Sequence, residues 1–175
     1  DYGCGIGNSL EQVLKFKPKK ITGIDISEVS IEKAKKNLNK NTKIELLVDN
    51  CEKTKFEENT FDIVYGTGIL HHLNFEICLD EIQRILKPSG RFLFIEPLGT
   101  NPLINLYRRL TPKSRSIDEH PLVENDLNLI KNRFQIVKIK YYGFLTLIFF
   151  PFYSSPKNSL IFKILKNTDQ FLFKI

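Results

Sequence analysis

The first eight residues, DYGCGIGN (residues 1–8), place three glycines at alternate positions directly behind an acidic residue. Glycine adopts positive φ angles without steric cost, so such a loop can bring its backbone N–H groups close to a ligand. If residues 1–2 end a strand and residues 9–16 form a helix, these N–H groups and the positive end of the helix face one small polar ligand. The stretch therefore predicts a site for a nucleotide-like molecule.

The spacing of the glycines narrows the class of nucleotide. A dinucleotide fingerprint has glycine at its first, third and sixth positions, so that a pyrophosphate can lie on the helix N-terminus. Counting from Gly3 places glycine at Gly5 but asparagine at Asn8. This spacing disfavours an NAD(P)-dependent oxidoreductase. For the loop taken alone, the alternative is a glycine-rich turn that binds nothing.

Two further acids follow strand-like runs in the next part of the chain. Residues 20–26 (KITGIDI) carry Asp25, and residues 43–48 (KIELLV) end just before Asp49. Ligands of parallel sheets bind beyond the carboxyl ends of the strands, so a carboxylate at Asp25 can accept hydrogen bonds from both hydroxyls of a ribose. The alternatives are a helix-cap neighbour of Ser27 for the first acid and a surface turn for the second.

The order of these landmarks over residues 1–97 resembles the class I S-adenosylmethionine (SAM)-dependent methyltransferases of the type 11, small-molecule group. The resemblance rests on the glycine loop, on FDIV and LHHL within residues 61–73, and on LKPSGR in residues 86–91. It implies a Rossmann-like, mostly parallel α/β sheet with helices on both faces, SAM as the cofactor, and methyl transfer. The cofactor-binding residues expected on this interpretation are Asp1, Gly3, Cys4, Gly5, Gly7, Asp25, Ile26, Asp49, Asn50, Gly66 and Thr67.

Hydrophobic periodicity predicts alternating strands and helices, which is typical of a parallel sheet with right-handed crossovers. After the glycine loop, the predicted strands are 20–26, 43–48, 61–65, 91–97 and 134–142, with 144–150 as a further candidate. The predicted helices are 9–16, a helix capped by Ser27, a helix from Phe75 to Leu86, one near 123–131, and a helical stripe over 160–172. Gly90 is expected in a left-handed conformation after the third of these helices.

Length and composition indicate one globular domain, since 175 residues with 42% hydrophobic content can bury a core. We expect residues 1–97 to form its cofactor-binding core and residues 98–175 a substrate-side cover. The chain contains no Met and begins inside the glycine motif, so we expect a fragment that is incomplete at its N-terminus and at its C-terminus. Three cysteines with neither paired spacing nor a histidine partner predict no disulfide framework, no metal site and a reducing, cytoplasmic setting.

Catalytic residues are harder to assign, because methyl transfer from a sulfonium depends mainly on placing the nucleophile. If the acceptor is a hydroxyl, a general base contributes roughly 10²- to 10⁴-fold. The histidines of the chain are His71, His72 and His120, and their near-neutral titration makes them the candidates. The alternative is a wall of the site for the first two and a turn for the third, so the catalytic residue is left open.

The C-terminal part, residues 144–175, suggests the kind of acceptor. An apolar run over 144–152 precedes a basic amphipathic segment, and nine residues are too few for a bilayer span of about 20. Such a segment can lie on a membrane surface or close an apolar pocket. We expect a small, apolar or lipid-like acceptor and peripheral membrane contact, with ordinary core packing as the alternative. The rim residues on this interpretation are Tyr107, Arg108 and Arg109, and the basic residues are Lys157, Lys163, Lys166 and Lys174.

Two other functions fit parts of the same pattern. A SAM-fold binding or interaction protein without catalysis would carry the same motifs. A nucleic-acid methyltransferase would carry an Asn/Asp-Pro-Pro-aromatic cluster after the strand that corresponds to residues 61–65, where this chain has GTGILHH (residues 66–72). The net charge of +6 leaves room for an anionic partner without arguing for one. We therefore expect no specific nucleic-acid partner, and the pattern leaves the oligomeric state open.

Overall fold

The computed structural model describes residues 1–38, 41–111, 119–147 and 160–173. The chain divides into two compact units. The first comprises Asp1–Pro97 with Asp118–Pro121, and the second comprises Leu98–Ile117 with Leu122–Ile175.

The first unit is built on parallel strands. Its strands are β1 (Ile21–Asp25), β2 (Ile44–Val48), β3 (Phe61–Thr67) and β4 (Leu86–Ile95). β1 pairs with β2 and β3 pairs with β4, both in parallel. Tyr2 forms parallel bridges to Ile24 of β1 and to Gly66 of β3. The N-terminal residue Tyr2 therefore lies between the β1–β2 pair and the β3–β4 pair. The predicted α/β fold with a parallel sheet is confirmed.

The helices of this unit begin and end near the predicted residues. They are α1 (Asn8–Leu14), α2 (Glu28–Asn37), a 3-10 turn (Leu70–His72) and α3 (Phe75–Ile85). The Ser27 hydroxyl accepts a hydrogen bond from the Ser30 N–H at 3.2 Å, which is the predicted N-cap of α2. After α1 the chain turns away at Lys17, whose φ of 54° cannot continue a right-handed helix.

The core of the first unit is mainly apolar, and it encloses an ionic cluster on α3. The side chain of Glu81 is buried and accepts hydrogen bonds from the Thr54 N–H at 3.0 Å and from Arg84 at 2.6 and 2.9 Å. Burial raises the pKa of Glu81, but the hydrogen bonds from Arg84 and Thr54 outweigh it and leave the pKa below its usual range. The ionised Glu81 therefore ties the segment after β2 to α3.

β4 differs from the prediction, because it begins at Leu86 and not at Arg91. Leu86 pairs with Phe61 while Arg91 pairs with Ile63, so the register shifts between them. The predicted left-handed conformation of Gly90 is wrong, since Gly90 is not among the residues with positive φ. A Cβ there would lie 2.9 Å from both the Leu86 side chain and the Lys87 carbonyl oxygen. The lack of room for a side chain at position 90, and not a left-handed φ, therefore explains why this residue is glycine.

The second unit is mainly helical where it is described. It contains α4 (Pro102–Leu110), α5 (Glu124–Arg133) and α6 (Leu160–Leu172). The predictions of α5 and α6 are confirmed, whereas α4 was not predicted. The buried carboxylate of Asp169 on α6 accepts hydrogen bonds from the N–H groups of Phe144, Leu145 and Thr146 at 2.7–3.1 Å. This carboxylate holds the segment 144–146 against the helix.

The predicted strand over residues 134–142 is wrong, because the structure describes these residues without any strand pairing. Ile136 and Tyr142 are 82% and 76% exposed. Alternation of apolar and polar residues makes a strand only where a neighbouring edge supplies hydrogen-bond partners. Of the further candidate strand 144–150, the described residues 144–147 form a bend and a 3-10 turn, and 148–150 lie outside the described residues.

Candidate functional site

The glycine loop turns sharply between Tyr2, which bridges to Ile24 and Gly66, and α1. Gly3, Gly5 and Gly7 all have positive φ angles, of 62°, 52° and 91°. The Cys4 N–H donates to the Ile24 carbonyl at 2.9 Å, and the Gly7 N–H donates to the Cys4 carbonyl at 3.0 Å. The sequence pattern predicted this alternation of left-handed glycines with other residues. The hydrogen bond from Cys4 to Ile24 anchors the loop to β1.

The three glycines serve different purposes. A Cβ on Gly3 would lie 2.6 Å from the Ile69 side chain, and one on Gly7 would lie 2.9 Å from the Leu38 side chain. A Cβ on Gly5 would have no neighbour within 4 Å among the described residues. Packing thus explains the first and third glycines, while the loop presents an open side at the second. That open side is where a ligand could approach the backbone.

Asp25 joins the loop to the end of β1. Its Oδ2 accepts a hydrogen bond from the Gly5 N–H at 2.9 Å, and its Oδ1 accepts from the Ser27 N–H at 2.8 Å. A carboxylate offers about four lone-pair positions, so two remain for ligand hydroxyls. The side chain therefore neighbours Ser27, as in the cap interpretation, and also lies at the open side of the loop. The next residue, Ile26, is an apolar side chain that is 76% exposed.

Asp1 connects the loop to its helix. Its carboxylate accepts a hydrogen bond from the Ser9 hydroxyl, in the first turn of α1. Sequence analysis placed Asp1 at the site but did not single out Ser9. The acid before the glycines therefore ties the start of the loop to the first turn of α1.

Asp49 and Asn50 form a turn beside Asp25. The buried Asp49 carboxylate accepts hydrogen bonds from the N–H groups of Asn50 and Lys55, both at 3.0 Å, and the Asn50 side chain accepts from the Glu52 N–H at 2.9 Å. The Asp49 N–H donates to the Asp25 carbonyl at 3.1 Å. These contacts place Asp49 in a turn at the same end of the strands as Asp25, but its carboxylate is buried and not on the surface as the alternative interpretation expected.

Gly66 and Thr67 end β3. A Cβ on Gly66 would lie 2.7 Å from the Phe94 ring and 2.8 Å from the Ile69 side chain. Glycine at 66 thus lets Ile69 pack close to the sheet, where Ile69 also covers Gly3. Thr67 is exposed at the strand end.

Glu96, directly after β4, binds the segment 69–71 that carries His71. Its Oε1 accepts from the N–H groups of Ile69 and Leu70, both at 3.0 Å, and its Oε2 lies 2.7 Å from Nδ1 of the buried His71. The His71 carbonyl accepts from the His120 N–H at 2.7 Å. Sequence analysis missed Glu96. Its signal was an acid at the end of a predicted strand, the same signal that identified Asp25 and Asp49.

The chain's three cysteine thiols are buried, which favours their uncharged form. Burial raises the pKa of Cys4 to about 11 and that of Cys51 to about 12, and it also raises the pKa of Cys78. All three are free and buried. Cys4 therefore contributes its backbone to the loop and an uncharged side chain to the core.

Comparison with known proteins gives a consistent picture. The family described as "Methyltransferase domain" matches residues 1–94, which is more than half of the chain. Sterol 4-C-methyltransferase strm-1 of Caenorhabditis elegans is 34% identical over 106 residues, which are 58% of this chain and 31% of that protein. Demethylmenaquinone methyltransferase of Lactococcus lactis is 37% identical over 114 residues, which are 62% of this chain and 44% of that protein. The chain thus spans between about a third and a half of the length of these relatives.

Solved structures show the same fold. Phosphoethanolamine N-methyltransferase 2 of Haemonchus contortus, solved with S-adenosyl-L-methionine, superposes with a TM-score of 0.64 at 22% identity, over 76% of this chain and 31% of that one. The YcgJ protein of Bacillus subtilis superposes with a TM-score of 0.63 at 18% identity, over 76% of this chain and 59% of that one. At such identities the likeness concerns the fold alone.

Proposed function

Because this chain belongs to the methyltransferase-domain family that matches its residues 1–94, we propose that it binds SAM and transfers a methyl group to a small acceptor. The observation that carries the proposal is the open side of the glycine loop at Gly5, with the Asp25 carboxylate bound to the Gly5 N–H beside it. We call the glycine loop together with the Asp25 carboxylate the cradle. A polar ligand with vicinal hydroxyls and a compact charged end suits it.

The residues of the cradle would divide the work of binding. The two free acceptor positions of Asp25 suit ribose hydroxyls, and the exposed Ile26 offers an apolar surface for a flat base. The N–H groups at the start of α1 and the open backbone at Gly5 face the polar end. SAM supplies an electrophilic methyl group when bound. The chain's own contribution is placement, since a reacting pair held about 3–3.5 Å apart needs little acid–base help.

Calorimetric titration tests the cofactor. We expect heat of binding with S-adenosylhomocysteine and none with NAD, because the loop lacks the third glycine of a dinucleotide site. Heat with NAD alone would instead favour an oxidoreductase. Binding of S-adenosylhomocysteine without methyl transfer to any of a broad panel of acceptors would favour the second candidate function, a SAM-fold binding protein.

For the acceptor, we propose a small apolar or lipid-like molecule. The support is the apolar surface that α6 exposes: Leu160, Ile161, Ile164, Phe171 and Leu172 are 43–72% exposed. In a helix these residues share one side, so they form a continuous apolar stripe. Sterol C-methyltransferases among the relatives are consistent with an acceptor of this class. If the acceptor is a hydroxyl, the candidates for the catalytic base are still His71, His72 and His120.

The same stripe supports peripheral contact with an anionic membrane surface. In the part of the chain that is described, no helix is long and apolar enough to cross a membrane. α6 carries the exposed Lys163 and Lys166 beside its apolar stripe, which suits an interfacial helix. Of the other lysines invoked from the sequence, Lys157 and Lys174 lie outside the described residues.

Sedimentation with vesicles tests this contact. We expect salt-sensitive binding to phosphatidylserine-containing vesicles and weak binding to neutral ones. Replacing both Lys163 and Lys166 by glutamine should weaken binding about 30-fold, because each lysine near an anionic surface contributes about 1 kcal/mol. The matched control replaces Lys35 and Lys36, two exposed lysines of α2, and should change little. Equal losses in both double variants, or no binding to anionic vesicles, would contradict the proposal.

A further inference from the structure

A cluster of metal-ligating side chains lies at the end of β3, beyond the residues assigned to the cofactor. His71, His72 and Glu119 each offer one ligand atom, and these atoms all lie within 4.8 Å of one another. Two imidazoles and one carboxylate form a donor set that suits divalent transition metals such as Zn²⁺. We propose that this cluster binds one divalent transition-metal ion.

The backbone brings these three residues together from distant parts of the sequence. His71 and His72 share the 3-10 turn Leu70–His72, and their rings are 4.0 Å apart between centroids. The His120 N–H donates to the His71 carbonyl at 2.7 Å, which holds the neighbouring Glu119 against the turn. A main-chain hydrogen bond of the next residue therefore positions the third ligand.

Glu96 supplies the outer support that metal-binding histidines require. Its Oε2 lies 2.7 Å from Nδ1 of His71, and both atoms belong to side chains that are at least nine-tenths buried. A histidine that donates its Nδ1–H to a carboxylate presents Nε2 with a free lone pair, as in carboxylate–histidine–metal triads. Glu96 is itself held by the N–H groups of Ile69 and Leu70. His71 is thus oriented before any ion arrives.

The distances allow an ion after a small closure. Zn–N bonds of about 2.0–2.1 Å place neighbouring ligand atoms of a tetrahedral site about 3.3–3.5 Å apart. The ligand atoms must therefore approach each other by up to roughly 1.5 Å. His72 and Glu119 are partly exposed, so their side chains have room to rotate. With three protein ligands, at least one position stays open for water or another oxygen ligand.

This proposal departs from the expectation of no metal site, which considered only the spacing of cysteines and histidines along the chain. It does not depend on SAM binding. The segment that carries the site nevertheless reaches the glycine loop, because the side chain of Ile69, two residues before His71, would lie 2.6 Å from a Cβ on Gly3.

Metal titration of the chelator-treated, dialysed chain tests the proposal. We expect one Co²⁺ per chain, with visible absorption bands of a low-coordinate site, and displacement of Co²⁺ by Zn²⁺. His72→Gln and Glu119→Gln, which alter partly exposed side chains, should each weaken Co²⁺ binding by more than about 100-fold. Glu96→Gln should weaken it by about 10- to 100-fold, as is usual for an outer-shell partner.

His120→Gln is the matched control, since it removes the one histidine outside the cluster while keeping its main-chain N–H. We expect Co²⁺ affinity within about twofold of the wild type. Failure of the wild-type chain to bind Co²⁺ or Zn²⁺ at millimolar concentration would overturn the proposal, as would wild-type affinity in His72→Gln and Glu119→Gln. A parallel titration with S-adenosylhomocysteine separates failure of the metal proposal from failure of the proposed function. If the chain binds S-adenosylhomocysteine but no metal, only the metal site is contradicted.

Discussion

Replacing Asp25 by alanine should lower the affinity for S-adenosylhomocysteine by about 100-fold or more. The carboxylate has two acceptor positions left for ribose hydroxyls, and hydrogen bonds to a charged group contribute roughly 1.5–3 kcal/mol each. Two such bonds correspond to at least about two factors of ten. The substitution also removes the acceptor of the Gly5 N–H at 2.9 Å, so the loop loses part of its orientation. Calorimetry measures the affinity.

Asp62→Ala is the matched control for Asp25→Ala. Asp62 lies on β3, is largely exposed, and pairs only weakly with the exposed Lys87 at 2.8 Å. Its loss should leave S-adenosylhomocysteine binding unchanged. Thermal melts of both variants show whether folding is affected, and we expect a modest decrease for Asp25→Ala, whose hydrogen bond to Ser27 is also lost. An Asp25→Ala variant that binds S-adenosylhomocysteine within about twofold of the wild type would remove Asp25 from the site.

Gly5→Val should abolish measurable binding of S-adenosylhomocysteine while leaving a near-native circular dichroism spectrum. A Cβ at Gly5 meets nothing within 4 Å among the described residues, so a side chain can begin there without a clash at its first atom. It would instead fill the open side of the loop. The φ of 52° costs a β-branched residue about 1–2 kcal/mol, which a folded domain of ordinary stability tolerates.

Gly143→Val separates backbone strain from occlusion of the site. Gly143 has a φ of 69°, and its nearest Cβ contact would be the Leu147 side chain at an ordinary 3.5 Å. The two substitutions therefore carry a similar backbone penalty, but Gly143 belongs to the second unit and not to the loop. We expect reduced thermal stability with unchanged affinity. If Gly5→Val also binds S-adenosylhomocysteine normally, the cradle assigned to this loop is wrong.

The sequence alone determined the features that depend on neighbours along the chain. The Ser27 cap, the turn of the chain at Lys17 after α1, the apolar stripe of α3 and the alternating left-handed glycines all arise from local sterics and local hydrogen bonds. Their order predicted the parallel α/β fold and the family. Asp25 belongs here too, because the end of a strand beside a glycine loop is a position that a linear pattern can identify.

Only the tertiary structure decided which distant groups meet. The alternation in residues 134–142 lacked a strand edge to pair with. Glu96 reached His71, and Glu119 reached the histidine pair, through hydrogen bonds between segments far apart in the chain. Residue type and local spacing carry no information about such pairs, because burial and hydrogen-bond satisfaction depend on the packing of the whole unit.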